Sequence, residues 1–194
     1  EVECDLSCNN LLPLFNTALL AEYAKLDMRL VALVHDVKSW AKDEEVHGAA
    51  HGNLSSYAFT LLAIFYAQQV GVLPCLQSGL EPQWYIESGR AFNVAMRPTT
   101  GHVFDVERTD TVIDLHGFAR FFAQEAAWEE KVVSVRTGTF LPLKECPQLG
   151  RNSFCEDEDL LYIEDPFDLG RNLTCVLWAG RSAKLRAALG KAAA

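Results

Sequence analysis

The sequence predicts an α+β fold that is mostly helical, and three observations predict it. Four long stretches carry apolar residues at helical spacing or are apolar nearly all round, and a fifth closes the chain. The runs that read as strands are few and short. An apolar fraction of 49% in 194 residues supplies a core for one domain or one and a half.

Taken in order, Glu1–Leu6 alternates acidic and apolar residues, as a short strand with one buried face does. Its three carboxylates would share a side, where a cation or solvent must separate them. Ser7–Asn10 is a polar turn. A helix is expected from about Leu11 to Lys25, with Pro13 tolerated in its first turn. Asp27 then caps a second helix whose stripe is Leu30, Leu33, Val34, Val37 and Ala41. Leu54–Val70 is apolar nearly all round, which marks a helix central to the core. Residues 78–111 mix Gly, Pro and polar residues with short apolar runs and read as an insertion without assigned structure. Ile113–Trp128 is expected as an amphipathic helix with Phe118, Phe121 and Phe122 inward. Lys131–Gly138 reads as a strand ending in a turn, Lys144–Asp159 as a loop with a solvated acidic run, and Leu161–Ile163 as a short strand. Leu173–Leu189 is expected as a closing helix with Arg181, Lys184 and Arg186 on its outer side.

A formal charge of −9 argues against non-specific adhesion to nucleic acid, though not against a local basic cleft. No apolar run is long enough to span a bilayer, so no membrane partner is expected. No basic-then-apolar leader is present, and the chain opens inside a strand pattern. A piece of a longer intracellular polypeptide is therefore expected, mitochondrial or cytoplasmic. The six cysteines form no C-x-x-C and no zinc spacing with the histidines, and all are read as reduced thiols. Asn53-Leu54-Ser55 and Asn172-Leu173-Thr174 match glycosylation sequons only by chance on that reading.

The chemistry gathers at Val37–Tyr57. Lys38 and Lys42 lie one helical turn apart, beside the apolar stripe, where long side chains bury their stems and aim their charges into a cleft. A Gly/His-rich turn follows. Ser55-Ser56-Tyr57 then opens the next helix, whose N-terminus favours a phosphate while the tyrosine ring can carry a flat base. The same residues also read as surface lysines and an ordinary serine cap.

Six segments in one order carry a resemblance: Cys4–Ser7 with Asn9-Asn10, Lys38–Lys42, Gly52–Ala58, Leu73–Gln77, Val133–Arg136 with Gly138, and Ile163–Asp168. The set resembles the poly(A) polymerases and terminal uridylyltransferases of the DNA polymerase β-like superfamily. Leu73–Gln77 is most similar to the kinetoplastid-type RNA uridylyltransferases. The resemblance implies that residues 1–7 end a catalytic palm. Residues 8–172 would form the helical central domain, with the variable insertion near 78–111, and residues 173–194 a closing helix.

The resemblance also implies roles. Asp5 would be the third catalytic carboxylate and a ligand of Mg²⁺ (or Mn²⁺) in a two-metal mechanism. Asn10, Asn16 and Thr17 would touch the nucleotide or RNA, Lys38 and Lys42 the β- and γ-phosphates, and Ser56 the triphosphate. Tyr57 would stack on the base, and Asp165 and Asp168 would read its edge. Arg171 stands where UTP-preferring members often carry histidine. The first two palm aspartates of the family have no counterpart here, since Asp157-Glu158-Asp159 lies in the acidic loop. The chain alone is therefore expected to be inactive.

The implied function is transfer of UMP from UTP to RNA 3′ ends, completed by a palm elsewhere. One alternative is a catalytically inactive subunit of an RNA–protein complex. Another is an ATP-specific poly(A) polymerase.

Overall fold

The structure is a computed structural model and describes residues 10–100, 110–125, 128, 130–150 and 160–194. The expected strand Glu1–Leu6, with Asp5, lies outside the described residues.

The core is built around one helix. α3 (Ser56–Gln69) is buried without a break from Ala58 to Ala67. Withdrawing each Leu, Ile or Phe of such a helix from water is worth about 1.5–3 kcal/mol. α3 starts at Ser56 rather than at Leu54, because Leu54 pairs with His47 and the Ser55 hydroxyl accepts the Ala58 N–H at 3.2 Å. α2 (Met28–Asp43) packs against it through Leu30, Leu33, Val37, Trp40 and Ala41. Its start is fixed as the sequence predicts, by the Asp27 carboxylate accepting the Arg29 N–H at 2.8 Å. α1 (Leu12–Leu26) lies on α2 and buries Leu12, Asn16, Leu19 and Tyr23.

The stretch from residue 78 onward, unassigned from sequence, contains an antiparallel hairpin. β1 (Trp84–Glu87) pairs with β2 (Arg90–Asn93), and Tyr85 lies 5.3 Å from Phe15 of α1, centroid to centroid. The expected helix over 113–128 is shorter. α4 (Leu115–Arg120) passes at Phe121–Glu125 into a wider π turn. There Phe121 and Phe122 meet Phe65, Tyr66, Phe118 and Phe140 in one aromatic cluster.

As the sequence predicts, β3 (Lys131–Ser134) ends in a turn: Gly138 at φ +67° returns its N–H to the Ser134 carbonyl and leads the chain into β4 (Thr139–Pro142). β5 (Tyr162–Ile163) joins β3 in parallel on its other edge. α5 (Arg181–Ala192) begins eight residues later than expected. The Asn172 side chain holds the Thr174 N–H and hydroxyl in a turn, and Gly180 at φ +78° supplies the actual start. Its basic residues do not simply face outward. Lys184 reaches the Glu45 carboxylate at 3.2 Å, and Arg186 lies over the Trp128 ring at 5.5 Å. Both sequon asparagines, Asn53 and Asn172, are buried, which leaves no room for a glycan.

Candidate nucleotide site

α2 places Lys38 and Lys42 one turn apart at the edge of its buried face. Lys38 is half-buried; burial and the neighbouring Lys42 charge both push its pKa below the usual lysine range. Among the described residues, neither ammonium has a carboxylate within ion-pair distance. Two neighbouring cations without a carboxylate partner, in a chain of charge −9, have the charge an anion site needs.

The turn after α2 folds back so that its end meets α3. Gly48 donates its N–H to the Leu54 carbonyl at 2.9 Å, which sets His47 beside Leu54. Gly52, at φ +68°, lies flat under the Trp178 ring, where a Cβ would come within 2.2 Å. Only glycine fits there. The imidazole of His47 then reaches the Ser56 hydroxyl, Nε2 to Oγ 2.7 Å, and stacks near Phe59. Burial lowers the His47 pKa, and Lys42 and Lys38 lower it further. His47 therefore links the two lysines of α2 to the first turn of α3. Sequence reasoning assigned it no role, although the Gly/His-rich turn was visible.

The opposite side of the site is a tight turn on β5. The Asp165 N–H donates to the Arg171 carbonyl at 3.1 Å, and the Arg171 N–H to the Asp168 carbonyl at 2.8 Å. Asp165 Oδ1 accepts the N–H groups of Phe167 and Asp168 at 3.0 and 3.1 Å. That leaves Oδ2, which is shut off from solvent without a hydrogen bond and lies 3.6 Å from Arg171 Nη1. The Tyr57 hydroxyl is likewise buried without a hydrogen bond. Burial pushes its pKa well above the ordinary tyrosine value, and the Asp165 charge adds to the shift. Buried polar atoms are nearly always paired, so the Tyr57 hydroxyl and Asp165 Oδ2, close enough to influence each other and with Arg171 at 3.6 Å from Oδ2, suit a hydrogen-bonding ligand.

Asp168 completes the turn differently. Its Oδ1 accepts from Arg90 Nη2 at 2.6 Å and from the Gly170 N–H at 3.3 Å. Arg90 comes from the hairpin and was not singled out in the sequence. Between hairpin and turn lies a cleft of about 290 Å³, walled by Trp84, Phe92, Arg136 and Pro166.

The remaining expected residues divide. Asn16 is buried on α1 with an unpartnered Oδ1, and its neighbour Phe15 lies 6.2 Å from Phe167, centroid to centroid. Thr17 is exposed, and its hydroxyl donates to the Pro13 carbonyl at 2.8 Å. Asn10 is exposed, and no described contact ties it to the others. Asp5 lies outside the described residues. Among the described residues, no group of three or more His, Cys, Asp or Glu is placed to hold a metal ion.

Residues 115–171 match the model of the Cid1 family poly A polymerase. The chain is 33% identical to the terminal uridylyltransferase cid1 of Schizosaccharomyces pombe, over 88% of this chain and 45% of that protein. It is 32% identical to the poly(A) RNA polymerase GLD2 of Danio rerio, over 86% of this chain and 33% of that protein. The chain thus spans between a third and somewhat under half of these curated relatives. Among solved structures, a cytoplasmic RNA terminal U-transferase superimposes with a TM-score of 0.76 at 31% identity, covering 95% of this chain and 58% of that one. Cid1 in complex with its short product ApU superimposes with a TM-score of 0.77 at 30% identity, covering 95% and 59%.

Proposed function

Because the chain belongs, through residues 115–171, to the Cid1 family of poly(A) polymerases, we propose that it forms the nucleotide-holding part of an RNA terminal nucleotidyltransferase that adds UMP from UTP to RNA 3′ ends. The observation that carries this reading is a run of neighbouring groups. The fields of Lys38 and Lys42 reach His47, His47 bonds to Ser56, Tyr57 follows in the same helical turn, and Tyr57 faces Asp165 with Arg171 behind it.

Each part has a task. Lys38 and Lys42 neutralise the triphosphate, and Ser56 donates to it from the start of α3. The Tyr57 ring stacks on the base. On its Watson–Crick edge uracil offers one donor, N3–H, flanked by the acceptors O4 and O2. Asp165 Oδ2 accepts from N3–H and the Arg171 guanidinium donates to O4. Asp168, Asn10, Asn16 and Thr17 are assigned to the base edge, the ribose and the RNA. Asp5 is assigned to a divalent cation, Mg²⁺ or Mn²⁺; one solved relative holds Mg with 3′-dATP. When bound, such an ion supplies the charge stabilisation of phosphoryl transfer.

An incorporation assay with the complete protein, an RNA primer and each of the four triphosphates tests the assignment. UMP addition should dominate, and Arg171→Ala should narrow the preference for UTP over ATP. Preferential addition of AMP by the wild type would overturn the choice of base and favour the poly(A) reading.

A further inference from the structure

A second cavity adjoins the lysines and has no assigned role. It measures about 330 Å³ and is lined by Lys42, Glu45, His47, His51, Asn53 and Arg181. Three separate segments build it: the end of α2, the Gly/His turn and the first residue of α5. The Gly52 carbonyl accepts the Trp178 N–H at 3.1 Å, and this bond brings the residues before α5 against the turn. Lys184 Nζ then binds both the backbone carbonyl of Glu45 at 3.1 Å and its carboxylate at 3.2 Å.

The charges in this cavity are lopsided. Its single carboxylate, Glu45, is already neutralised by Lys184. Arg181, like Lys42, has no carboxylate within ion-pair distance among the described residues. In this acidic chain most other arginines and lysines among those residues pair with a carboxylate or lie over a ring. Two unpaired cations and two imidazoles around one cavity therefore suit an anion larger than chloride. Lys42 and His47 belong both to this cavity and to the candidate nucleotide site, so one ligand can span the two.

We propose that Arg181 and His51 extend the phosphate site beyond the two lysines, so that the cavity they share with Lys42 holds the terminal phosphate of the bound nucleoside triphosphate. This rests on the nucleotide reading above and adds two binding residues to it. Arg181 supplies a forked donor that matches phosphate oxygens, and His51 lines the same cavity from the turn.

Titration calorimetry of the wild type and of Arg181→Gln with UTP, UMP and inorganic tripolyphosphate tests the inference. Arg181→Gln should weaken UTP and tripolyphosphate about tenfold, as loss of a charge-assisted contact does, and leave UMP unchanged. Arg181→Lys, which keeps the charge, should recover part of the loss. Equal affinities of wild type and Arg181→Gln for all three ligands would overturn the inference and leave the nucleotide reading standing. A parallel loss for UMP would also overturn it, because the effect would not be confined to the phosphates. If the wild type binds neither UTP nor UMP, the nucleotide reading itself fails and the inference falls with it.

Discussion

Arg90 Nη2 stands 2.6 Å from Asp168 Oδ1. The pair joins residues 78 positions apart and fastens the β1–β2 hairpin to the turn that carries Asp165, Asp168 and Arg171. It also decides what Asp168 has left to offer. With Oδ1 occupied by Arg90 and the Gly170 N–H, only Oδ2 is available to a ligand.

Arg90→Ala should therefore act more on binding than on folding. The guanidinium is largely exposed, so its loss should cost only about 0.5–1 kcal/mol of stability. In incorporation assays, KM for UTP should rise several-fold with kcat little changed, because a freed Asp168 presents a different oxygen to the base edge. An unchanged KM would remove the hairpin from nucleotide selection.

Tyr57→Phe should separate stability from affinity. The hydroxyl is buried without a well-formed hydrogen bond, so removing it should leave stability equal or raised by up to about 1 kcal/mol. Tyr57→Ala should instead weaken UTP binding by about 1–3 kcal/mol through lost stacking. Calorimetric affinities and thermal melts on the two variants check both statements. A clear loss of stability in Tyr57→Phe would mean that the hydroxyl is a structural group.

His47 gives the expected pH dependence. Its folded pKa lies below 6.5, lowered by burial and by Lys42 and Lys38. As pH falls through 6.5, the unfolded chain takes up a proton that the folded chain resists. Stability should drop there and level off below the folded pKa. A bound triphosphate brings negative charge beside the ring and should raise the folded pKa, so binding near pH 6 should take up a proton. Resonances of the His47 ring, followed by NMR through a pH titration with and without UTP, measure both shifts. A His47 titration that UTP leaves unmoved would separate this residue from the phosphates. Glu45 lines the same cavity and is paired with Lys184.

Glu164 should behave as a structural neighbour of a functional residue. Its buried carboxylate accepts from the Ser134 hydroxyl and pairs with Arg136 at 3.1 Å, which locks β3 to β5 beneath the turn. Glu164→Ala leaves that guanidinium without its partner and should cost about 2–4 kcal/mol. Asp165→Asn keeps the Oδ1 acceptor that closes the turn. It should fold nearly as well as the wild type while losing UTP affinity. Chemical denaturation of both variants distinguishes them, and equal destabilisation would contradict the division of roles.

The helices were legible because their signals are local. The Asp27 cap, the stripe of α2 and the all-round apolar run of α3 each lie within one stretch of chain. The lysine pair and the Ser-Tyr start of α3 could be found for the same reason. The structure shortened α4 and delayed α5, because glycine conformations and side-chain turns outweigh periodicity at helix ends. The hairpin over Trp84–Asn93 was missed. Its strands are four residues each, and their main support is packing on Phe15, far away in the chain.

By itself, then, the sequence determined which residues are candidates for the chemistry: two lysines one turn apart and a tyrosine at a helix start by their spacing, and an Asp-Pro-Phe-Asp turn by its resemblance to a family motif. Only the tertiary structure decided what stands beside them: His47 between the lysines and Ser56, Arg90 on Asp168, Arg171 near Asp165, and Arg181 in the cavity of Lys42. Those contacts are made by side chains from separate elements. Their positions are set by how α3 is buried and how the turns close, and no local pattern encodes them.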